Sequence, residues 1–176
     1  MPERIKLAVL IGSTRNGRFG PTVAAWFVGQ VKQRDDVEVT LLDLADDIDL
    51  EAATVAADAM VIVTPEYNHG YPGPLKVALD SLYLGLRGKP VAFVTYGGIS
   101  GGLRAAEQLR LVLAELHAVT IRETVSFSGA SACFTPAGTP VDEAAVSTAA
   151  TVLLDQLTWW ASALRQAKLT TPYPAP

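Results

Sequence analysis

Arg15 and Arg18 stand with Ser13 and Thr14 in a stretch that runs from Gly12 to Gly20, GSTRNGRFG. Two guanidinium forks and two hydroxyls spaced by glycines form an anion-binding set. Arg meets phosphate oxygens through parallel N–H donors, and glycines let backbone N–H groups close in. Pro21 suits the first position of a helix through Ala24, Ala25, Phe27 and Val31, and the start of a helix adds free N–H groups and a positive dipole end. The spacing from Gly12 to Gly17 is GxxxxG, yet Arg18 and Phe19 occupy the places where a triphosphate loop needs Lys and Ser or Thr. Ser13 and Thr14 directly after Gly12 also break the GxGxxG dinucleotide pattern. A single phosphate monoester suits the loop best; the alternative is an ordinary loop with solvated arginines.

Two further stretches carry chemistry. TPEYNHGYPGP, from Thr64 to Pro74, places two tyrosines, an amide and three prolines together. That makes a stiff, partly apolar lip suited to a flat heteroaromatic ligand, although Pro and Gly also mark plain turns. Glu66 and His69 within it can donate protons to an acceptor, or can simply be solvated or structural. YGGISGG, from Tyr96 to Gly102, offers close backbone approach with N–H donors. Asp43, after an apolar stretch, can hold a ribose or start a polar loop and cap a helix; without the dinucleotide fingerprint the second reading is favoured.

The elements that must position these loops alternate in type. Apolar runs over Ile5–Ile11, Ala59–Val63 and Val91–Thr95 are too short for typical helices and too uniform for half-exposed strands, so they read as strands buried on both faces. Val37–Leu42 and Val119–Phe127 complete five strands. Helices are expected from about Gly73 to Leu86, Leu103 to Leu116 and Val141 to about Lys168, with a short one between Ala45 and Ala57. Gly129 to Pro140 reads as irregular. On the last helix Leu153, Leu157, Trp160 and Leu164 share a face, which places Trp160 in the core. The expected architecture is an α/β doubly wound sandwich with a parallel sheet in the order 2-1-3-4-5. That order brings all three loops to the switch point of the sheet.

Whole-chain properties narrow the function. The 176 residues, 49% of them apolar, show no composition break, so one domain is expected over 1–168 with a frayed tail over 169–176. Fourteen basic and eighteen acidic residues leave a net charge of −4, which argues against nucleic acid or a polybasic membrane anchor. Cys133 is the single cysteine and His69 and His117 lie far apart, so neither an intrachain disulfide nor a metal site is expected; Cys133 is either a reactive thiol or incidental. The amino terminus lacks a secretion pattern and no run nears the roughly 20 apolar residues of a membrane span, so a soluble cytoplasmic protein is expected.

GSTRNGRFG, PEYNHGYPGPLKVALD and YGGISGG together resemble the NADPH-dependent FMN reductase family of flavodoxin-like proteins, over roughly residues 5 to 127. The resemblance implies non-covalently bound FMN and a nicotinamide donor, NADPH or NADH. It places Ser13, Arg15, Arg18, Phe19 and Gly20 around the phosphate. Pro65, Glu66, Tyr67 and Asn68 fall along the ribityl chain and ring, and Gly97, Gly98, Ser100 and Gly101 near the pyrimidine edge. Many relatives carry a polar side chain near Gly20; here that contact falls to Thr22 or a backbone N–H, or is lost. The implied activity is hydride transfer to FMN and on to a quinone, free flavin, azo dye or oxidised metal, with no obligatory catalytic acid. A flavodoxin-type electron carrier and a flavin-free module are the other classes. Apolar residues outside the core stripes, Val77, Tyr83, Leu84, Leu103 and Leu111, point to a homodimer or homotetramer.

Overall fold

The structure, a computed structural model, describes residues 3–174. Five parallel strands, β1 (Ile5–Ile11), β2 (Val37–Asp43), β3 (Ala59–Pro65), β4 (Pro90–Gly97) and β5 (Val119–Ser128), form one sheet in the order β2-β1-β3-β4-β5. The expected order is borne out. Helices α1 (Gly20–Val31), α5 (Ala130–Cys133) and α6 (Glu143–Thr170) cover one face, and α2 (Leu50–Ala56), α3 (Gly73–Asp80) and α4 (Leu103–Glu115) cover the other.

Strand periodicity sorts the core. Val9, Ile11, Val61, Val63, Ala92 and Val94 face α1 and α6, while Leu10, Met60, Ile62, Val91 and Phe93 face α3 and α4. Because successive side chains alternate and both faces are covered, nearly every position of β1, β3 and β4 is apolar, which is why these strands show no alternation in the sequence. Each fully buried large side chain, such as Phe27 or Phe93, contributes roughly 1.5–3 kcal/mol.

Four expectations need correction. The helix expected to reach Leu86 ends at Asp80. The Glu51 carboxylate accepts the N–H groups of Tyr83 and Leu84 at 3.2 and 2.8 Å, giving these amides an acceptor outside any helix. The buried stripe of Leu75, Leu79, Leu82 and Leu86 survives the break, and Val77, Tyr83 and Leu84 are exposed. The stretch after Gly129 contains the short α5 instead of being wholly irregular. Helix α6 starts at Glu143, since Asp142 caps it by accepting Ala145 N–H at 3.2 Å. Its core face is Ala150, Leu153, Leu154, Leu157 and Ala161, leaving Trp160 36% exposed beside the more exposed Trp159. A face counted at three- and four-residue steps drifts around a helix of 28 residues, and Trp160 lies past the edge of the buried stripe.

Helix α6 takes in the first two residues of the expected tail, Leu169 and Thr170; beyond it Tyr173 places its hydroxyl 3.2 Å from His117 Nδ1. The last two residues of the expected tail, 175 and 176, lie outside the described residues.

Candidate active site

Pairing of Ile11 with Val63 and of Pro65 with Tyr96 sets the carboxyl ends of β1, β3 and β4 side by side. The loop after β1 departs at Gly12, whose N–H donates to Val63 O at 2.9 Å. Among the described residues no protein acceptor takes the N–H groups of Thr14, Arg15, Asn16 or Gly17. At the start of α1, a Cβ built on Gly20 would lie 2.7 Å from Ser13 Oγ, 2.9 Å from Ile11 Cγ2 and 3.0 Å from the Tyr96 hydroxyl. No side chain can be placed there without displacing its neighbours, so the close packing calls for glycine. Thr22 turns its methyl toward Gly138, so the free N–H groups of the loop are the better donors.

Ser13 is fully buried, with its Oγ 3.2 Å from the Tyr96 hydroxyl. Burial pushes the Tyr96 phenol up to about 12, so it stays neutral. Phe19 packs edge-on against Tyr96 and Phe134, with centroids 6.2 and 5.3 Å away, so its ring belongs to the core beneath the loop. Arg18 donates to Asp43 at 2.5 Å, and its buried Nε has no protein partner. Asp43 also accepts Ala45 N–H at 3.0 Å, in agreement with the loop-start reading. The Arg15 guanidinium sits over the Tyr67 ring, 4.7 Å from its centroid, and links the first loop to the second.

The second loop is a tight hairpin. Tyr67 and Gly70 exchange N–H···O bonds of 2.8 and 3.1 Å around Asn68 and His69, whose φ angles of 51° and 71° suit a type I′ turn. Gln108 Nε2 donates to the His69 carbonyl at 2.9 Å and holds this strained turn in place. Asn68 and His69 are exposed, and Pro65 is buried at the end of β3. Glu66 points away from the hairpin, toward the third loop: it accepts the Ser100 hydroxyl at 2.6 Å, and the Arg104 N–H and Nη1 at 3.1 and 2.9 Å. Burial opposes ionisation of Glu66, but these donors outweigh it and hold its carboxyl below the ordinary carboxyl range. An ionised acceptor with three donors fits the structural reading of Glu66 better than the proton-donor reading.

The third loop requires glycine at 101 and 102, with φ of 62° and 88°. A Cβ on Gly102 would meet Thr95 Cβ at 2.7 Å, and one on Gly101 would lie within 3.2 Å of Ser128 N. Thr95 and Ser126 hydroxyls donate to Gly101 O at 2.8 and 2.9 Å, and Gly129 N–H donates to Gly98 O at 2.9 Å. So fixed, the loop leaves the N–H groups of Ile99 and Ser100 without a protein acceptor among the described residues.

The expected residues Ser13, Arg15, Arg18, Phe19, Gly20, Pro65, Glu66, Tyr67, Asn68, Gly97, Gly98, Ser100 and Gly101 therefore lie on three adjoining loops. Sequence reasoning missed Tyr96, Arg104 and Gln108 as their supports. Tyr96 was accessible in principle, because it shares strand parity with Ala92 and Val94 and so faces Phe19. A concavity of about 1380 Å³ lies elsewhere, lined by Arg4, Asp35, Asp36, Asp155 and Trp159 at the amino end of β1. Its carboxylates suit a phosphate poorly, whereas the first loop offers N–H, hydroxyl and guanidinium donors. The donor set fits an FMN phosphate.

The lowered carboxyl of Glu66 stabilises the fold fully above the ordinary carboxyl range, and this contribution is lost as pH falls through its folded value. Urea denaturation should show wild type more stable than Glu66→Gln at pH 7, with the gap closing below that range. A gap independent of pH would contradict the assignment.

The model of the NADPH-dependent FMN reductase family matches residues 5–132. The NAD(P)H-dependent FMN reductase C4B3.06c of Schizosaccharomyces pombe is 36% identical over 140 residues, covering 64% of this chain and 70% of that protein. The quinone reductase of Escherichia coli K12 is 32% identical over 150 residues, covering 73% of this chain and 80% of its own. A flavodoxin from the domain Archaea superimposes with a TM-score of 0.65 at 16% identity, covering 88% of this chain and 99% of its own, which shows the shared flavodoxin-like fold. The chain belongs to the NADPH-dependent FMN reductase family of oxidoreductases.

Proposed function

We propose that the protein binds FMN on its three loops and uses it to carry hydride from NADPH or NADH to a small-molecule acceptor. A quinone is the first candidate, with free flavin, azo compounds and oxidised metals as others. The carrying observation is the convergence of an anion-donor loop, an aromatic hairpin and a loop with free N–H groups at adjacent strand ends. FMN supplies the hydride chemistry at N5, and the protein supplies binding, orientation and electrostatics. In this reading the N–H groups of the first loop, with Arg15 and Arg18, hold the phosphate. Tyr67 and Asn68 flank the ring, and the N–H groups near Ser100 meet the negative charge that reduction adds. No protein acid is required. The reading keeps the expected cytoplasmic location. Among the described residues no helix is long and apolar enough to cross a membrane.

Bound FMN should be bleached anaerobically by NADPH or NADH alone and recover its colour when a quinone is added, with parallel initial-rate lines as for a two-half-reaction enzyme. FMN that binds but resists bleaching by both nicotinamides would leave a flavodoxin-type carrier instead.

The reading includes assembly through exposed apolar side chains on and after α3 and on α4. Val77, Tyr83, Leu84, Leu103 and Leu111 are all exposed, more apolar surface than the two helices need for their own core. Light scattering should give a dimer or tetramer, and Leu84→Glu should lower the mass by at least half. A monomeric wild type would refute assembly and leave the hydride reading untouched.

A further inference from the structure

Glu66 belongs to the second loop by sequence and to the third by its contacts. Its side chain is only 7% exposed and faces three donors, Ser100 Oγ, Arg104 N–H and Arg104 Nη1, at 2.6, 3.1 and 2.9 Å. Arg104 N–H is one of the free amides in the first turn of α4, so a residue from another loop caps this helix. The Ser100 hydroxyl is taken up by this contact and also accepts Gly102 N–H at 3.3 Å. It is therefore an internal tie, and the free donors of the tip are the N–H groups of Ile99 and Ser100. The two loops also pack closely, since a Cβ on Gly97 would lie 3.4 Å from Glu66 Cβ.

We propose that Glu66 and Arg104 are positioning residues, a charge-compensated brace between the second and third loops that fixes the Ile99 and Ser100 N–H groups and sets the preference for reduced over oxidised FMN. The inference rests on the FMN reading above. A buried carboxylate is weakly screened, whereas the Arg104 side chain is 43% exposed and its charge is shared with solvent. Removing either partner leaves the other uncompensated beside a site where reduction adds negative charge. Glu66→Gln, which keeps the shape, should strengthen binding of reduced FMN relative to oxidised FMN. Arg104→Met should weaken it. A brace that acts only by holding the loops would move both variants the same way.

The experiment measures the affinity of oxidised FMN by flavin fluorescence and the midpoint potential of the bound couple, together with amide hydrogen exchange of residues 97–104 in FMN-free protein. Expected are opposite changes of about three- to tenfold in the ratio of affinities, where tenfold corresponds to about 30 mV for a two-electron couple. Faster exchange of residues 97–104 is expected in both variants. Glu51→Gln, which removes the carboxylate charge that faces the Tyr83 and Leu84 N–H groups and touches neither loop, should leave the ratio unchanged. Ratios that shift together or not at all, or exchange that stays at the wild-type rate, would overturn the brace while wild-type FMN binding leaves the functional reading standing. A wild type that binds no FMN would overturn that reading and this inference with it. Should Glu66→Gln fail to fold, Arg104→Lys decides against Arg104→Met: the lysine keeps the charge and should return the ratio toward wild type, and a ratio as low as that of Arg104→Met would overturn the inference.

Discussion

The parallel ladder of β1, β3 and β4 is the constraint on which the rest depends. Its strands are buried on both faces, so their side chains contribute to the core and their ends are left to carry chemistry. Register is costly to change in such a ladder, because a slip of one residue would turn each side chain to the opposite layer. Gly12, Glu66 and Gly98 therefore begin their loops at fixed places, and polar groups more than fifty residues apart in sequence meet at one edge.

Close packing at that edge determines which residues are tolerated. Gly20 lies against Ser13, Ile11 and Tyr96, and Gly102 lies against Thr95 and Tyr96. Tyr96 thus touches the bases of both glycine loops, and its neutral phenol fills space between the sheet and α1 without adding charge near a phosphate. Charge is handled by pairing around the donors: Asp43 holds Arg18, Tyr67 underlies Arg15, and Glu66 holds Arg104. The backbone N–H groups of the first and third loops are left over as donors, which is the property a bound anion and a ring that gains negative charge both require.

Strands, their order and the three loops were legible in the sequence because each rests on a local signal: uniform apolar runs, a glycine loop before a Pro-led helix, and the limited topologies open to alternating elements. The supports of the site were not. Arg104 and Gln108 look like ordinary exposed helix residues, and their value comes from meeting Glu66 and His69, thirty-eight and thirty-nine residues away. The end of α3 was missed for a similar reason, since the amides of Tyr83 and Leu84, just past it, find their acceptor in Glu51 across the fold. Trp160 shows the limit of a helical stripe read without its partner. Counting steps identifies a face but does not show how wide the covering layer is, and here the sheet buries Leu157 and Ala161 and stops short of the indole.

The central claim is that the loop from Gly12 to Gly20 holds the phosphate of FMN, and comparing FMN with riboflavin tests it most directly, because the two differ only in that group. Wild type should prefer FMN, and Arg15→Ala should weaken FMN by about 1.5–3 kcal/mol, roughly ten- to hundredfold, while riboflavin affinity changes little. Equal losses for both ligands, or no preference in the wild type, would contradict the account and move the phosphate away from this loop.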